Sequence, residues 1–129
     1  MQVIIRIIIG VLGLQFIMLG LWFWVAPEVA AVPFGLSATS TLGIANLRAD
    51  MGSLFIAMGG FSALAAWRQA PAFLFAPMVI LGLAIFARII TLVTEGVGFI
   101  MLPPLVIEIV LLGLMVAAQR VLKPPAKAA

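Results

Sequence analysis

Six polar side chains stand within or at the mouths of otherwise apolar runs: Asn46, Asp50, Arg88, Thr91, Glu95 and Glu108. A charge in hydrocarbon costs from about 3 to more than 10 kcal/mol depending on how it is measured, so such residues face a bundle interior, a water-filled cavity or the interface. Their spacing narrows the choice. Asn46, Asp50, Ser53, Ala57 and Gly60 follow steps of four and three, which puts them on one helix face, polar at its start and small further in. On that wheel Asp50 turns inward and Arg48 turns away to snorkel toward the interface. Ala84, Arg88, Thr91 and Glu95 share a second face, with Arg88 about 10 Å below Glu95 at the helical rise per residue. Glu108 lies beyond Phe99 by about 13 Å on the same rise. The two depths nearly match, so Arg88 and Glu108 are expected to pair. Pro103 and Pro104 lack an N–H and are expected to leave the carbonyls of Phe99 and Ile100 without helical donors, just above Glu108.

Two readings of this set stand side by side. In one, the six residues line a ligand-binding pocket that opens outward. In the other, Arg88–Glu108 is a clamp that sets helix register, and Asp50 with Arg48 caps a helix and anchors it at the interface.

The surroundings are those of a membrane protein. The chain has 129 residues, 66% of them hydrophobic and 9% charged, with a mean hydropathy of +1.37. Soluble domains are about 45–50% apolar and about 25% charged, and a small soluble fold has too little volume to bury so much apolar surface. There is no Cys and no His, which removes disulfides, thiolate chemistry and the usual ligands of zinc and haem. There is no Tyr. Asp50, Glu95 and Glu108 are then the remaining acid–base candidates, and no catalytic residue, metal site or cofactor is assigned. The net charge of +3 carries no nucleic-acid-binding cluster of Lys and Arg.

A span needs about 20 apolar residues, and four stretches qualify: 3–25, 47–67, 72–94 and 99–121. The sequence therefore predicts an all-α, integral membrane four-helix bundle forming one domain over 1–129. An external loop over 26–46 and a basic cytoplasmic tail over 122–129 complete it. The first apolar run is too long for the core of a signal peptide and is expected to stay uncleaved. Arg6, Arg68, Arg120, Lys123 and Lys127 gather at one side and Glu28, Arg48, Asp50 and Glu95 at the other, so both termini are expected in the cytoplasm. Arg6, Gly10, Gly13, Gly20 and Trp24 fall in phase on the first span and read as packing surface. Gln15, mid-span, reads as an interhelical hydrogen-bonding residue.

The order of a first span, a Pro- and Gly-bearing loop ending in "FGL", the run "NLRADMGS" opening the second span and Arg88 in the third resembles a bacterial family of small four-helix membrane proteins of unknown function. That family is similar to the DoxX/DoxD-like superfamily. The resemblance covers nearly the whole chain. It implies a compact bundle in the bacterial inner membrane and no established reaction. Some members of the wider superfamily are linked to quinone-coupled oxidation as accessory subunits. Small multidrug transporters are similar in size, but depend on a first-helix carboxylate where this chain has Gln15. Dual-topology fluoride channels are similar in carrying an Asn before a Gly/Ser-rich second helix, but the charge asymmetry here opposes dual topology.

Two functions are expected on these grounds. One is binding of an amphipathic small molecule, a quinone, isoprenoid or lipid, in the outward pocket. The other is service as a structural or accessory subunit, docked through Gly and Ala stripes such as Gly59 and Gly60 on another membrane protein or a second copy. A small ion channel or transporter is the remaining alternative.

Overall fold

The computed structural model describes residues 1–96 and 98–124. Lys127 and the end of the basic tail lie outside them. All the regular structure is helical. Helix α1 spans Gln2–Val25 and ends at Ala26, ahead of Pro27. Pro27 then opens a short helix α2, Pro27–Ala31, which runs into a 3₁₀ turn, Val32–Phe34, closed by Gly35 in the left-handed region (φ 67°). Much of the segment read as a loop is thus helical.

The next helix begins earlier than the apolar run does. Ser40 caps helix α3, Thr41–Asn46, its Oγ accepting from the Gly43 N–H at 3.1 Å. The chain continues through a wide π turn, Leu47–Gly52, into helix α4, Ser53–Arg68. Thr41 to Arg68 therefore forms one long rod. It ends on Gln69, whose φ of 51° breaks the helix, and on Pro71, which starts a 3₁₀ turn, Pro71–Leu74. Helix α5, Phe75–Thr94, follows, and then a 3₁₀ turn, Phe99–Met101, and helix α6, Leu102–Val121. Among the described residues, four helical rods are long and apolar enough to cross a membrane: Gln2–Val25, Thr41–Arg68, Pro71–Thr94 and Phe99–Val121.

The tightest contact is between α1 and α4, and glycine creates it. A Cβ on Gly13 would sit 2.8 Å from the Gly59 carbonyl oxygen and 2.8 Å from the Ala63 nitrogen. A Cβ on Gly20 would sit 2.8 Å from the nitrogen of Ile56. A Cβ on Gly59 would run into the Gly13 carbonyl. The pairs keep an antiparallel register: Gly13 faces Gly59, and seven residues on, Gly20 faces Gly52. Without side chains at these points the backbones touch, which is the packing available to helices that lack a hydrophobic drive toward one another in lipid. The glycine row of α1 is packing surface at Gly13 and Gly20, whereas a Cβ on Gly10 would meet only the Ala66 methyl. Gly52 and Gly59 are spent inside the molecule and are not free to dock a partner.

The core is uneven along the bundle. One buried cluster fills the end that carries the chain's N-terminus, with Ile9, Met58, Ala65, Leu74, Leu81 and Met115 among its members. A second, smaller cluster lies at the other end: Phe23, Ala30 and Ala31, flanked by Leu19, Leu47, Met51 and Phe55. It draws nothing from α5 or α6. No residue of α5 beyond Leu81 and none of α6 before Met115 is fully buried. The halves of these two helices away from the N-terminal end lie at the part of the bundle where packing is thinnest.

Candidate functional site

The inward faces of α5 and α6 can be followed residue by residue. Leu74, in the turn that leads into α5, and Leu81, Arg88 and Thr91 on α5 succeed one another in multiples of the helical repeat. On α6, Ala118, Met115, Leu111 and Glu108 do the same. Arg88 and Glu108 therefore occupy, in the half away from the N-terminus, the positions that core residues occupy in the N-terminal half. They meet there. Arg88 Nε donates to Glu108 Oε2 at 2.8 Å, with 32% of the Arg88 side chain and 16% of that of Glu108 exposed.

The bond uses one N–H of the guanidinium and one carboxylate oxygen. An arginine has five N–H donors and a carboxylate two acceptor oxygens. The Nη groups of Arg88 and Glu108 Oε1 make no further hydrogen bond among the described residues. The pair is a partly buried dipole with donor and acceptor capacity left on both members.

An aromatic surface stands on the other helix pair. Phe16 and Phe23 share the α1 face that carries Ile5, Ile9 and Leu12 into the core. Phe23 stacks on Phe55 with centroids 5.8 Å apart, and Phe16 on Phe55 at 6.1 Å. Phe34, brought over by the 3₁₀ turn after α2, joins Phe23 at 5.5 Å and Phe55 at 5.6 Å. The half of the bundle away from the N-terminus thus has an aromatic wall on the α1/α4 side and a charge pair on the α5/α6 side.

The other expected site residues are placed as follows. Thr91 is half-buried one turn beyond Arg88, and its hydroxyl donates to the Ala87 carbonyl at 3.1 Å. Asn46 is exposed at the end of α3, Asp50 is exposed in the π turn, and Glu95 is exposed just past α5. None of these three makes a side-chain hydrogen bond among the described residues. Direct bonding thus joins two of the six.

The prolines act as expected on one of the two carbonyls. Pro103 and Pro104 occupy the first turn of α6, where a missing N–H takes no bond from the helix. Phe99 and Ile100 lie in the preceding 3₁₀ turn, before α6 begins. The Leu102 N–H closes that turn on the Phe99 carbonyl, whereas the Ile100 carbonyl faces Pro103 and Pro104 at i+3 and i+4 and gets no helical donor from them.

The π turn hid a contact from sequence reasoning. Trp24 Nε1 donates to the Arg48 carbonyl at 3.1 Å, and Arg48 Nε donates to the Trp24 carbonyl at 3.0 Å. A Cβ on Gly52 would collide with the Trp24 indole. Arg48, rather than Asp50, is the charged residue of "NLRADMG" that holds α1. A π turn widens the helix, so phases counted at 3.6 residues per turn across Asn46–Ser53 do not carry through it.

Fold and site together define a small all-α protein with four membrane-span-length helices and an ion pair between the last two. A family model described as "Domain of unknown function (DUF4345)" matches residues 4–119, and the chain belongs to that family. No curated protein and no solved structure matches it.

Proposed function

We propose that the protein is a multi-pass membrane protein of the bacterial cytoplasmic membrane that binds an amphipathic small molecule in the outer half of its bundle. The observation that carries this reading is the Arg88–Glu108 pair, set on the inward faces of α5 and α6 with polar atoms to spare. Arg88 Nη groups would donate to a carbonyl, phosphate or hydroxyl oxygen of the ligand. Glu108 would orient the guanidinium and accept from a ligand hydroxyl. Phe16, Phe34 and Phe55 offer ring faces to a quinone or isoprenoid body. Thr91 lies along the same face, and Asn46, Asp50 and Glu95 stand at the rim. The similarity to DoxX/DoxD-like four-helix proteins, some of them linked to quinone-coupled oxidation, favours a quinone among these ligands. The test is native mass spectrometry of the protein released from mild detergent. A defined apolar adduct on the wild type that is absent from folded Arg88→Leu and Glu108→Gln supports the proposal, and an adduct unchanged in both defeats it.

A second reading, an accessory subunit, rests on Gln15. It is exposed at the middle of α1, without a hydrogen-bond partner among the described residues. An amide in hydrocarbon without a partner costs several kcal/mol, about 4–8 on a cyclohexane scale. A neighbouring membrane helix would supply the missing bonds. Loss of a co-purifying partner in Gln15→Leu, with folding intact, would favour it.

A further inference from the structure

The α1/α4 seam is closed by an arginine at each end, and the two ends differ. At one end Arg48 grips the last turn of α1, and the Trp24 indole lies over Gly52. At the other, Arg6 grips the last turn of α4, its Nε donating to the Ala66 carbonyl at 3.0 Å. Gly10 follows Arg6 by four residues, just as Gly52 follows Arg48. No ring covers Gly10: a Cβ there would meet only the Ala66 methyl, at 3.7 Å. Trp67, the tryptophan at this end, is 83% exposed. The result is an open groove of about 440 Å³, floored by Gly10, Ala63 and Ala66, with Ile7 along one side, Trp67 on the rim and Arg6 at its head.

Charge says what fits there. The bond to Ala66 holds the Arg6 guanidinium in place by one of its five N–H groups, and the others make no hydrogen bond among the described residues. The chain has four acidic side chains, Glu28, Asp50, Glu95 and Glu108, and all belong to the other half of the bundle. Arg68, Arg120 and Lys123 share the Arg6 end, where Gln2 Nε2 donates to the Lys123 carbonyl at 3.2 Å. A fixed guanidinium with no acidic side chain at its own end among the described residues therefore heads an apolar groove, about one turn inside the start of α1, where a span that begins at Gln2 would meet the headgroups. An exposed tryptophan is at home at that level.

We infer that this groove binds an anionic phospholipid, its phosphodiester on Arg6 and an acyl chain over Gly10 between α1 and α4. The site is separate from the Arg88–Glu108 site, and its test does not depend on that one.

Full-length protein in mild detergent is titrated with phosphatidylglycerol or phosphatidylcholine and read by native mass spectrometry, with retention of a secondary-structure spectrum as the folding control. The wild type is expected to retain one phosphatidylglycerol per chain about fivefold better than phosphatidylcholine, the scale of one basic residue acting on an anionic lipid. Gly10→Leu, whose Cβ would meet only the Ala66 methyl at 3.7 Å, is expected to abolish retention while Gly60→Ala, at a position where a Cβ meets nothing within 4 Å, leaves it intact. Arg6→Gln is expected to remove the preference between the two lipids. Should Arg6→Gln not fold, Gly10→Leu decides alone. Equal retention of both lipids by the wild type, or unchanged retention in Gly10→Leu, overturns the proposal in favour of annular lipid. Displacement of the lipid by millimolar inorganic phosphate overturns it in favour of a free-anion site.

Discussion

Trp24 and Arg48 hold each other by opposite parts: each side chain donates to the other's backbone carbonyl, at 3.1 and 3.0 Å. The Trp24 carbonyl belongs to the last turn of α1, where helical acceptors are unfilled and the dipole favours a cation. Arg48→Met is expected to cost about 1.5–3 kcal/mol, the range for a hydrogen bond to a charged group. Gly52→Ala is expected to cost a similar amount by driving the indole out, and the two substitutions together less than additively. Unfolding of the purified chain in mixed micelles, followed by Trp fluorescence, measures all three.

Gly59 and Gly60 are neighbours with opposite predicted sensitivities. A Cβ on Gly59 meets the backbone of α1, whereas one on Gly60 meets nothing within 4 Å. Gly59→Ala is expected to destabilise by at least the roughly 1–3 kcal/mol typical of overpacking, because backbone cannot yield as a side chain does. Gly60→Ala is expected to stay within about 0.5 kcal/mol of the wild type. Equal effects in the same micelle titration would refute the α1/α4 register.

The Arg88–Glu108 pair separates stability from binding. Removing either partner leaves a lone charge in the bundle, and Arg88→Leu or Glu108→Leu is expected to cost about 3–5 kcal/mol. Arg88→Leu with Glu108→Leu together is expected to recover most of that loss, since an apolar pair of similar volume often replaces a buried ion pair without penalty. The recovered double variant is the one in which to assay ligand retention, and it is expected to lose the adduct that depends on Arg88.

Pro103 and Pro104 stand in the first turn of α6. Pro103→Ala is expected to change stability by no more than about 1 kcal/mol, the scale of an unfolded-state entropy effect. A loss of several kcal/mol in the same titration would place the proline inside the helix instead.

Much of the fold was legible because the membrane imposes lengths. Apolar runs had to be helices, and their ends fell near Pro27, Arg68, Glu95 and Lys123. The glycine row on α1 could be assigned to packing because it fell on one face, and the equal depths of Arg88 and Glu108 were enough to pair them. What failed had physical causes. The start of the second rod, Thr41–Asn46, is a short helix set by its Ser40 cap and separated from the main apolar run by Asn46, so a count begun at Leu47 started too late. The π turn at Leu47–Gly52 shifted the helix phase, so the wheel exchanged the roles of Arg48 and Asp50. Interhelical contact for Gln15 was inferred from its chemistry, yet the packing leaves it on the outside.

The two arginine clamps also fix a length. Arg6 and Trp24 are 18 residues apart on α1, and their partners Ala66 and Arg48 are 18 apart on the opposing rod. At the helical rise that is about 27 Å, close to the roughly 30 Å hydrocarbon thickness of a bilayer. The α1/α4 pair is a strut bolted at both ends, with glycine contacts between that prevent sliding. It cannot shorten or lengthen by shear, so in a thicker or thinner bilayer it must tilt or deform the lipid around it. The α5/α6 pair, not clamped to it in this way, is left to follow the membrane.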